Sequence, residues 1–238
     1  MEPRLPTKLS LSSIHESLRM KIVTGTIPPG TRLTEEYLAA EYNVSRTPVR
    51  EVLRMLQRDR LIEVARGKGA TVVSLTRQEV VDTYECRGAL RGLACRLAAQ
   101  RMNPDGLARL RQILASLEDA VGKQDVNSIF YNTVRFNQVV AEIAGNNVAA
   151  ELLNALDDRT FRIRYMAHTI PERVRFALNA YRKLYAALAA GNSAQSESIA
   201  LSITQNAKDA ILKVYYPEIP DALASPAPPE AGGHRPSE

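Results

Sequence analysis

The stretch PPGTRLTEEYLAAEYNVSRTPVREVLRMLQRDRLIEVARGKGATV, residues 28–72, decides the architecture of the first third of the chain. Thr34 precedes EEYLAAEY, whose leading glutamates lie where a helix dipole favours negative charge and whose Leu38, Ala39 and Tyr42 form an apolar stripe, so a short helix is predicted. Asn43 and Val44 make a turn, Ser45 is placed to cap, and Pro48 falls in a first turn, where its missing N–H costs little; a further helix then runs to about Arg58. On that helix Val49, Val52, Leu53 and Leu56 recur at i, i+3, i+4 and i+7 and fix a buried face. At 100° per residue Arg46, Thr47, Arg50, Arg54 and Arg58 fall within an arc of about 120° on the opposite side, an exposed basic stripe. Two β-rich runs, Leu61 to Ala65 and Ala70 to Leu75, joined by Arg66, Gly67, Lys68 and Gly69, read as a hairpin.

Working outward, Ile14, Leu18 and Ile22 mark a helix over Ser13 to Thr24, which Gly25 and the Pro28-Pro29-Gly30 turn bring to an end. Three helices and a hairpin make a winged helix-turn-helix. After Thr76 the character changes. Helical periodicity runs through 77–99, 103–123, 126–144, 147–167, 172–190 and 193–214, with breaks at Asn103-Pro104, Gly145-Asn146-Asn147, Ile170-Pro171 and Gly191-Asn192. The fold class is therefore mainly α: a winged helix-turn-helix at 9–75, an all-α antiparallel bundle of about six helices at 76–216, a flexible start at 1–8 and a Pro-rich, disordered tail at 217–238 that holds 6 of the 13 prolines.

The composition suits this reading. Of the 238 residues 45% are hydrophobic and 24% charged, and no apolar run approaches the roughly 18 residues needed to span a bilayer. The first residues lack the apolar core of a signal peptide, so a cytoplasmic location without membrane contact is expected. Net charge is +5, and its distribution is uneven: residues 1–75 carry 12 Lys and Arg against 8 Asp and Glu, residues 76–238 carry 19 against 18. The basic excess thus sits where a polyanion would bind. Cys86 and Cys95, nine positions apart on one helix, are too far apart to pair and read as packing residues.

Placed after a tight turn, the basic stripe suits the major groove of B-DNA. Arg46 or Arg50 would pair bidentately with guanine, while Ser45 and Thr47 suit phosphate oxygens. Arg54 extends the stripe. Gly67 permits close backbone approach at the wing tip, and Arg66 and Lys68 supply charge there. The 28–72 stretch resembles the GntR-family winged helix, whose pattern is PG…L…LA…VSR-TPVREAL…L…G.G. That resemblance implies DNA contacts at Ser45, Arg46, Thr47, Arg50 and Gly67. Glu36 stands where some members carry an arginine that contacts DNA, and that contact is not expected here.

The segments VVDTYECRGALRGLACRLAAQR, FNQVVAEIAGN and AYRKLYAALAAGN resemble the FCD-type ligand-binding domain of the FadR branch over about 140 residues. The resemblance implies a small-molecule sensor. Many FCD domains hold a divalent metal through an Asp and three His and use it to bind an effector carboxylate. Read onto this chain, those positions are Thr133, Asn137, Tyr181 and Ile203, a set without metal-ligating chemistry, and His15, His168 and His234 lie too far apart in the sequence reading to converge. No metal or other cofactor is expected. Thr133, Asn137 and Tyr181 fall on the apolar faces of their helices. They are either satisfied by local hydrogen bonds or line a polar pocket in which Arg87, Arg135, Arg162 or Arg164 replaces the cation and binds a carboxylic acid effector. Arg91 is a further departure, standing where many FCD members carry Glu.

The expectation is a homodimer bound to a palindromic double-stranded operator, a transcriptional regulator that acts as a repressor, the family's commoner mode, with its occupancy modulated by the effector. Two alternatives are weaker. A nonspecific architectural DNA binder is usually far more basic. For an enzyme, residues 77–214 contain no nucleophile–base pair, phosphate loop or ligand cluster, so no catalytic residue is expected.

Overall fold

The computed structural model describes residues 10–65 and 69–217. Helix α1 (Leu11–Val23) begins two residues earlier than its periodicity suggests, because the Ser10 hydroxyl accepts from the backbone N–H of Ser13 and caps it. Helix α2 (Glu35–Tyr42) is capped in the same way by Thr34 and stops at Asn43, which adopts the left-handed region at φ 51°. Helix α3 (Arg46–Arg58) buries Val49, Val52, Leu53 and Leu56 against Ile14, Leu18 and Ile22 of α1, as the spacing predicts. Ser45 occupies the N-cap position of α3, but its side chain makes no capping hydrogen bond, contrary to expectation.

The hairpin forms from β2 (Ile62–Ala65) and β3 (Gly69–Val72), antiparallel, with Ile62 opposite Val72 and Ala65 opposite Gly69. A third strand, β1 (Arg32–Leu33), pairs with the other edge of β3. Two residues between a Pro-Gly turn and a helix cap are too few to show a period, so the sequence reading passes over β1.

The bundle comprises α4 (Arg77–Arg101), α5 (Pro104–Gly122), α6 (Val126–Ala144), α7 (Asn147–Arg159), α8 (Phe161–Ala167), α9 (Pro171–Ala189) and α10 (Ser193–Tyr215). A complete capping box between Thr76 and Glu79 starts α4. Gly88 and Gly92 turn one face of α4 to α10, where an added Cβ would lie 3.6 Å from Leu201 and 3.2 Å from Glu197, so the two longest helices approach closely. The expected single helix over 147–167 is in fact two. Thr160 sits at φ −103°, ψ 10°, and its hydroxyl donates to the Leu156 carbonyl at 2.7 Å, the back-bonding that bends helices. Of the two cysteines only Cys95 is buried, where desolvation raises its thiol pKa to about 11; Cys86 is exposed, correcting its reading as a packing residue.

The two halves share a core. Phe130 of α6 and Tyr165 of α8 are buried in one cluster with Ile14, Leu18 and Ile22 of α1. Arg162 of α8 donates from Nε to the Ile22 carbonyl at 3.1 Å, satisfying an acceptor at the C-terminal end of α1. The Arg19 guanidinium lies 4.6 Å from the ring centre of Phe161.

Candidate functional site

The outer face of α3 carries Arg46, Thr47, Arg50 and Arg54, all exposed, with Ser45 exposed at its N-terminal end. The stripe is not bare charge. Arg46 pairs with Glu36 at 2.8 Å, and Arg50 donates from Nε to both carboxylate oxygens of Glu35 at 2.8 Å. Arg54 pairs within its own helix with Glu51 at 2.7 Å. The α2 glutamates therefore orient the two leading arginines of α3. These are exposed pairs, worth little each and open to exchange for phosphate or base partners. Glu36, which stands where some members of the resembled family carry a DNA-contacting arginine, instead holds Arg46. Arg66, Gly67 and Lys68 lie outside the described residues.

In the bundle, four arginines converge. Arg87 and Arg91 project from α4, Arg164 from α8 and Arg173 from α9, and each is buried, between 3% and 9% exposed. They line a cleft together with Thr133, Asn137, His168 and Tyr181; only about 20 Å³ of it is open to the centre of a water molecule. Asp157 of α7 meets two of them, Arg87 Nε at 2.6 Å and Arg164 Nη1 at 3.0 Å. Arg91 donates to Asn137 Oδ1 at 2.7 Å, to the Tyr181 hydroxyl at 3.3 Å and to Thr204 Oγ1 at 3.3 Å, all uncharged acceptors. Among the described residues, Nε and Nη1 of Arg173 have no hydrogen-bond partner.

Burial opposes charge throughout the cluster and prevails at Arg164, Arg173 and His168, while at Arg91, whose pKa is raised, and at Asp157 the neighbouring groups outweigh it. It lowers the Arg164 pKa to about 10, with Asp157 pulling the other way, and it lowers that of Arg173 as well. Burial also pushes the Asp157 carboxyl up, but Arg87 and Arg164 outweigh it and leave the group below its ordinary value. His168 is driven down to about 3, first by burial and then by Arg173, so at neutral pH its ring is uncharged; it faces the Thr133 hydroxyl at 3.2 Å and the Arg164 carbonyl at 2.8 Å.

Thr133, Asn137 and Tyr181 thus come together as expected, and Arg87 and Arg164 join them. Arg135 does not: it is exposed on the far side of α6, facing a shallow surface cleft with Arg109 and Glu142. Arg162 does not either, being engaged at the α1 joint. Ile203 is buried in the apolar core. His168 also lines the cleft, a residue the sequence reading places only at a helix end. The sequence reading missed Arg91 and Arg173 as site residues. The signal was present in the stripe Val80, Tyr84, Arg87, Arg91, Cys95 and Ala98, and in Arg173, Ala177, Tyr181, Leu184 and Leu188, where each arginine occupies a core-facing register. A divalent metal does not fit here. The three polar side chains at the expected ligand positions are an alcohol, an amide and a phenol, and a guanidinium at 2.7 Å already occupies the amide oxygen.

Among the described residues, a three-helix unit with a small antiparallel sheet and a basic outer helix, fused to a seven-helix bundle with a buried polar cleft, defines a winged-helix regulator with a sensing domain. Comparison with known proteins agrees. Residues 11–72 match the model of bacterial regulatory proteins of the gntR family, and residues 82–206 match that of the FCD domain. The chain belongs to the gntR family with an FCD domain: it is a DNA-binding transcriptional regulator whose helical domain is of the small-molecule-binding kind. It is 29% identical over 173 residues to the uncharacterized HTH-type transcriptional regulator YdhC of Bacillus subtilis, spanning 72% of this chain and 77% of that one. It is also 29% identical over 162 residues to the HTH-type transcriptional repressor RspR of Escherichia coli, 68% of this chain and 71% of that one. The solved structure of E. coli McbR/YncC superimposes with a TM-score of 0.68 at 25% identity, over 87% of this chain and 99% of the other. Among the described residues no helix is long and apolar enough to cross a membrane.

Proposed function

We propose that the chain is a transcriptional repressor that binds a palindromic operator as a homodimer through residues 9–75 and releases it when a small anionic effector occupies residues 76–216. The observation that carries this is the geometry of α3. A fully packed inner face fixes the helix while Arg46, Thr47, Arg50 and Arg54 stand exposed on one outer face. One such helix reads only a few base pairs, which favours a two-fold pair of chains on two half-sites. The repressor sense is supported by RspR, which is named as one. Arg46 and Arg50 read bases; Ser45 and Thr47, with the N-terminal N–H groups of α3, position phosphates. Arg66, Gly67 and Lys68 are assigned to the wing on sequence alone.

Effector contacts are assigned to Arg87, Arg91, Thr133, Asn137, Arg164, Arg173 and Tyr181. A coupling of about 1 to 3 kcal/mol between effector and operator suffices to change occupancy roughly 5- to 150-fold. The test is selection of a duplex from a random library by the full chain, followed by fluorescence anisotropy with Arg46→Ala and Arg50→Ala. Each substitution is expected to weaken binding to the selected duplex by about 1 to 3 kcal/mol and to relax base preference at the position it reads. Wild-type affinity in the double variant would overturn the assignment.

A further inference from the structure

We propose that the cleft of the bundle binds an organic anion carrying at least two negative charges, held directly by the Arg91 and Arg173 guanidiniums with no metal ion between. This rests on the reading of the bundle as the effector domain and names the chemistry of its ligand. Among the described residues the cleft presents four buried guanidiniums, and the Asp157 carboxylate pairs with two of them. Arg87 and Arg164 share that carboxylate. Arg91 spends its donors on an amide, a phenol and an alcohol, which satisfy hydrogen bonds but return no charge. Arg173 is 6% exposed and has two nitrogens without a partner among the described residues. Burial disfavours the charge of both, but neighbouring groups including Asp157 outweigh it at Arg91, whereas at Arg173 burial prevails, Arg91 and Arg87 add repulsion and two nitrogens lack partners, so the charge that an anion would repay is centred on Arg173, with Arg91 beside it.

The shape adds a second constraint. The cleft as it stands admits little more than a water, but Asn137 and Arg164 also border a larger cavity between α6, α7 and α8, with about 420 Å³ open to the centre of a water molecule. Phe130, Val134, Leu153 and Phe161 line it, and so do the carboxylates of Asp157 and Asp158, which keep a ligand's own negative groups out of this space. The ligand's charged groups therefore meet the arginines while its carbon skeleton lies toward this less polar space. Planar, bidentate guanidinium recognition suits carboxylate and phosphate alike, so the shared chemistry is a multiply charged oxyanion on a small organic frame.

The experiment is thermal denaturation of the full chain at matched ionic strength with succinate, citrate, 3-phosphoglycerate, inorganic phosphate and, as a monoanion control, butyrate, each with and without EDTA. At least one of the multiply charged organic acids is expected to raise the melting temperature saturably. Butyrate is expected to leave it unchanged, and EDTA to have no effect. Inorganic phosphate acting as well as the best organic acid would overturn the role given to the larger cavity, and with it the proposal. So would abolition of the shift by EDTA, or no shift with any of the three acids. In Arg173→Gln the ligand-free protein is expected to melt higher than wild type, since an uncompensated charge is gone, while affinity for the acid falls at least tenfold. A merely structural arginine would give a lower melting point and an unchanged ligand shift, which overturns the proposal. The same acids are added to the complex with the selected duplex. If duplex binding persists and no acid binds the protein, the anion site alone fails. If the acid binds but the chain selects no duplex, the repressor reading alone fails.

Discussion

Replacing Asp157 by asparagine removes the carboxylate that neutralises Arg87 and Arg164 while keeping the volume of the side chain. The structure sets the size of the effect. The two partners are almost fully buried, with Arg87 and Arg164 side chains at 4% and 10% exposure, whereas Asp157 itself is 21% exposed. Breaking a buried ion pair by removing one partner costs about 3 to 5 kcal/mol. The solvent-facing edge of Asp157 and the amide oxygen, which still accepts one hydrogen bond, place the expected loss at the lower end, about 3 kcal/mol. For a chain of this size that corresponds to a fall of roughly 6 to 12 °C in melting temperature. Because Arg87 and Arg164 hold the native carboxyl below its ordinary value, its contribution is complete above the unfolded pKa of about 4 and is lost as the pH falls through the folded value. Calorimetric scans at pH 7 should therefore separate wild type from Asp157→Asn by this interval, and scans in progressively stronger acid should bring the two together. A separation under about 2 °C at pH 7, or one that persists unchanged into acid, would refute the account of Asp157 as the charge that holds the cluster.

His168 is kept neutral by burial and by Arg173, with a pKa near 3 against an ordinary 6.5. The unfolded chain takes up that proton first as the pH falls, so wild type should lose about 2 kcal/mol more than His168→Gln between pH 7 and pH 5, measured by urea denaturation; equal losses would contradict the assignment. Gly145 ends α6 at φ 59°, and an alanine there is strained whatever space surrounds it, so Gly145→Ala should lower stability by about 1 to 2 kcal/mol in thermal melts with unchanged duplex affinity.

Much of the DNA-binding half is legible in the sequence because its signals are local. Thr34 and Asn43 bracket α2, and the spacing of Val49, Val52, Leu53 and Leu56 alone orients the basic stripe of α3. The Glu35–Arg50 and Glu36–Arg46 pairs are not legible in that way, since they depend on the angle at which α2 meets α3. In the bundle, periodicity reports which face of a helix is buried but not which buried faces meet. Thr133, Asn137 and Tyr181 were reached through a resemblance and are found together. Arg135 and Arg162, offered beside Arg87 and Arg164 as replacements for the cation, point elsewhere. Arg91 and Arg173 were in core-facing register all along, but an arginine on an apolar stripe reads as a misfit until its neighbours are known. The break at Thr160 is illegible for a related reason: a threonine in an unbroken helical pattern bends the chain only when its hydroxyl turns back to the carbonyl four residues earlier.

That break has a genetic consequence. Helix α8, seven residues long, offers Arg164 and the adjoining His168 to the cleft, and Phe161, Arg162 and Tyr165 to α1 of the DNA-binding domain. On the proposed effector site, sensing and docking are therefore written into consecutive turns of the same short element, and few of its positions are free to vary for one without the other. Alleles that blind the regulator to its effector yet leave repression intact should map to α4, α6 and α9, while alleles in α8 should be pleiotropic, altering effector response and DNA-binding competence together.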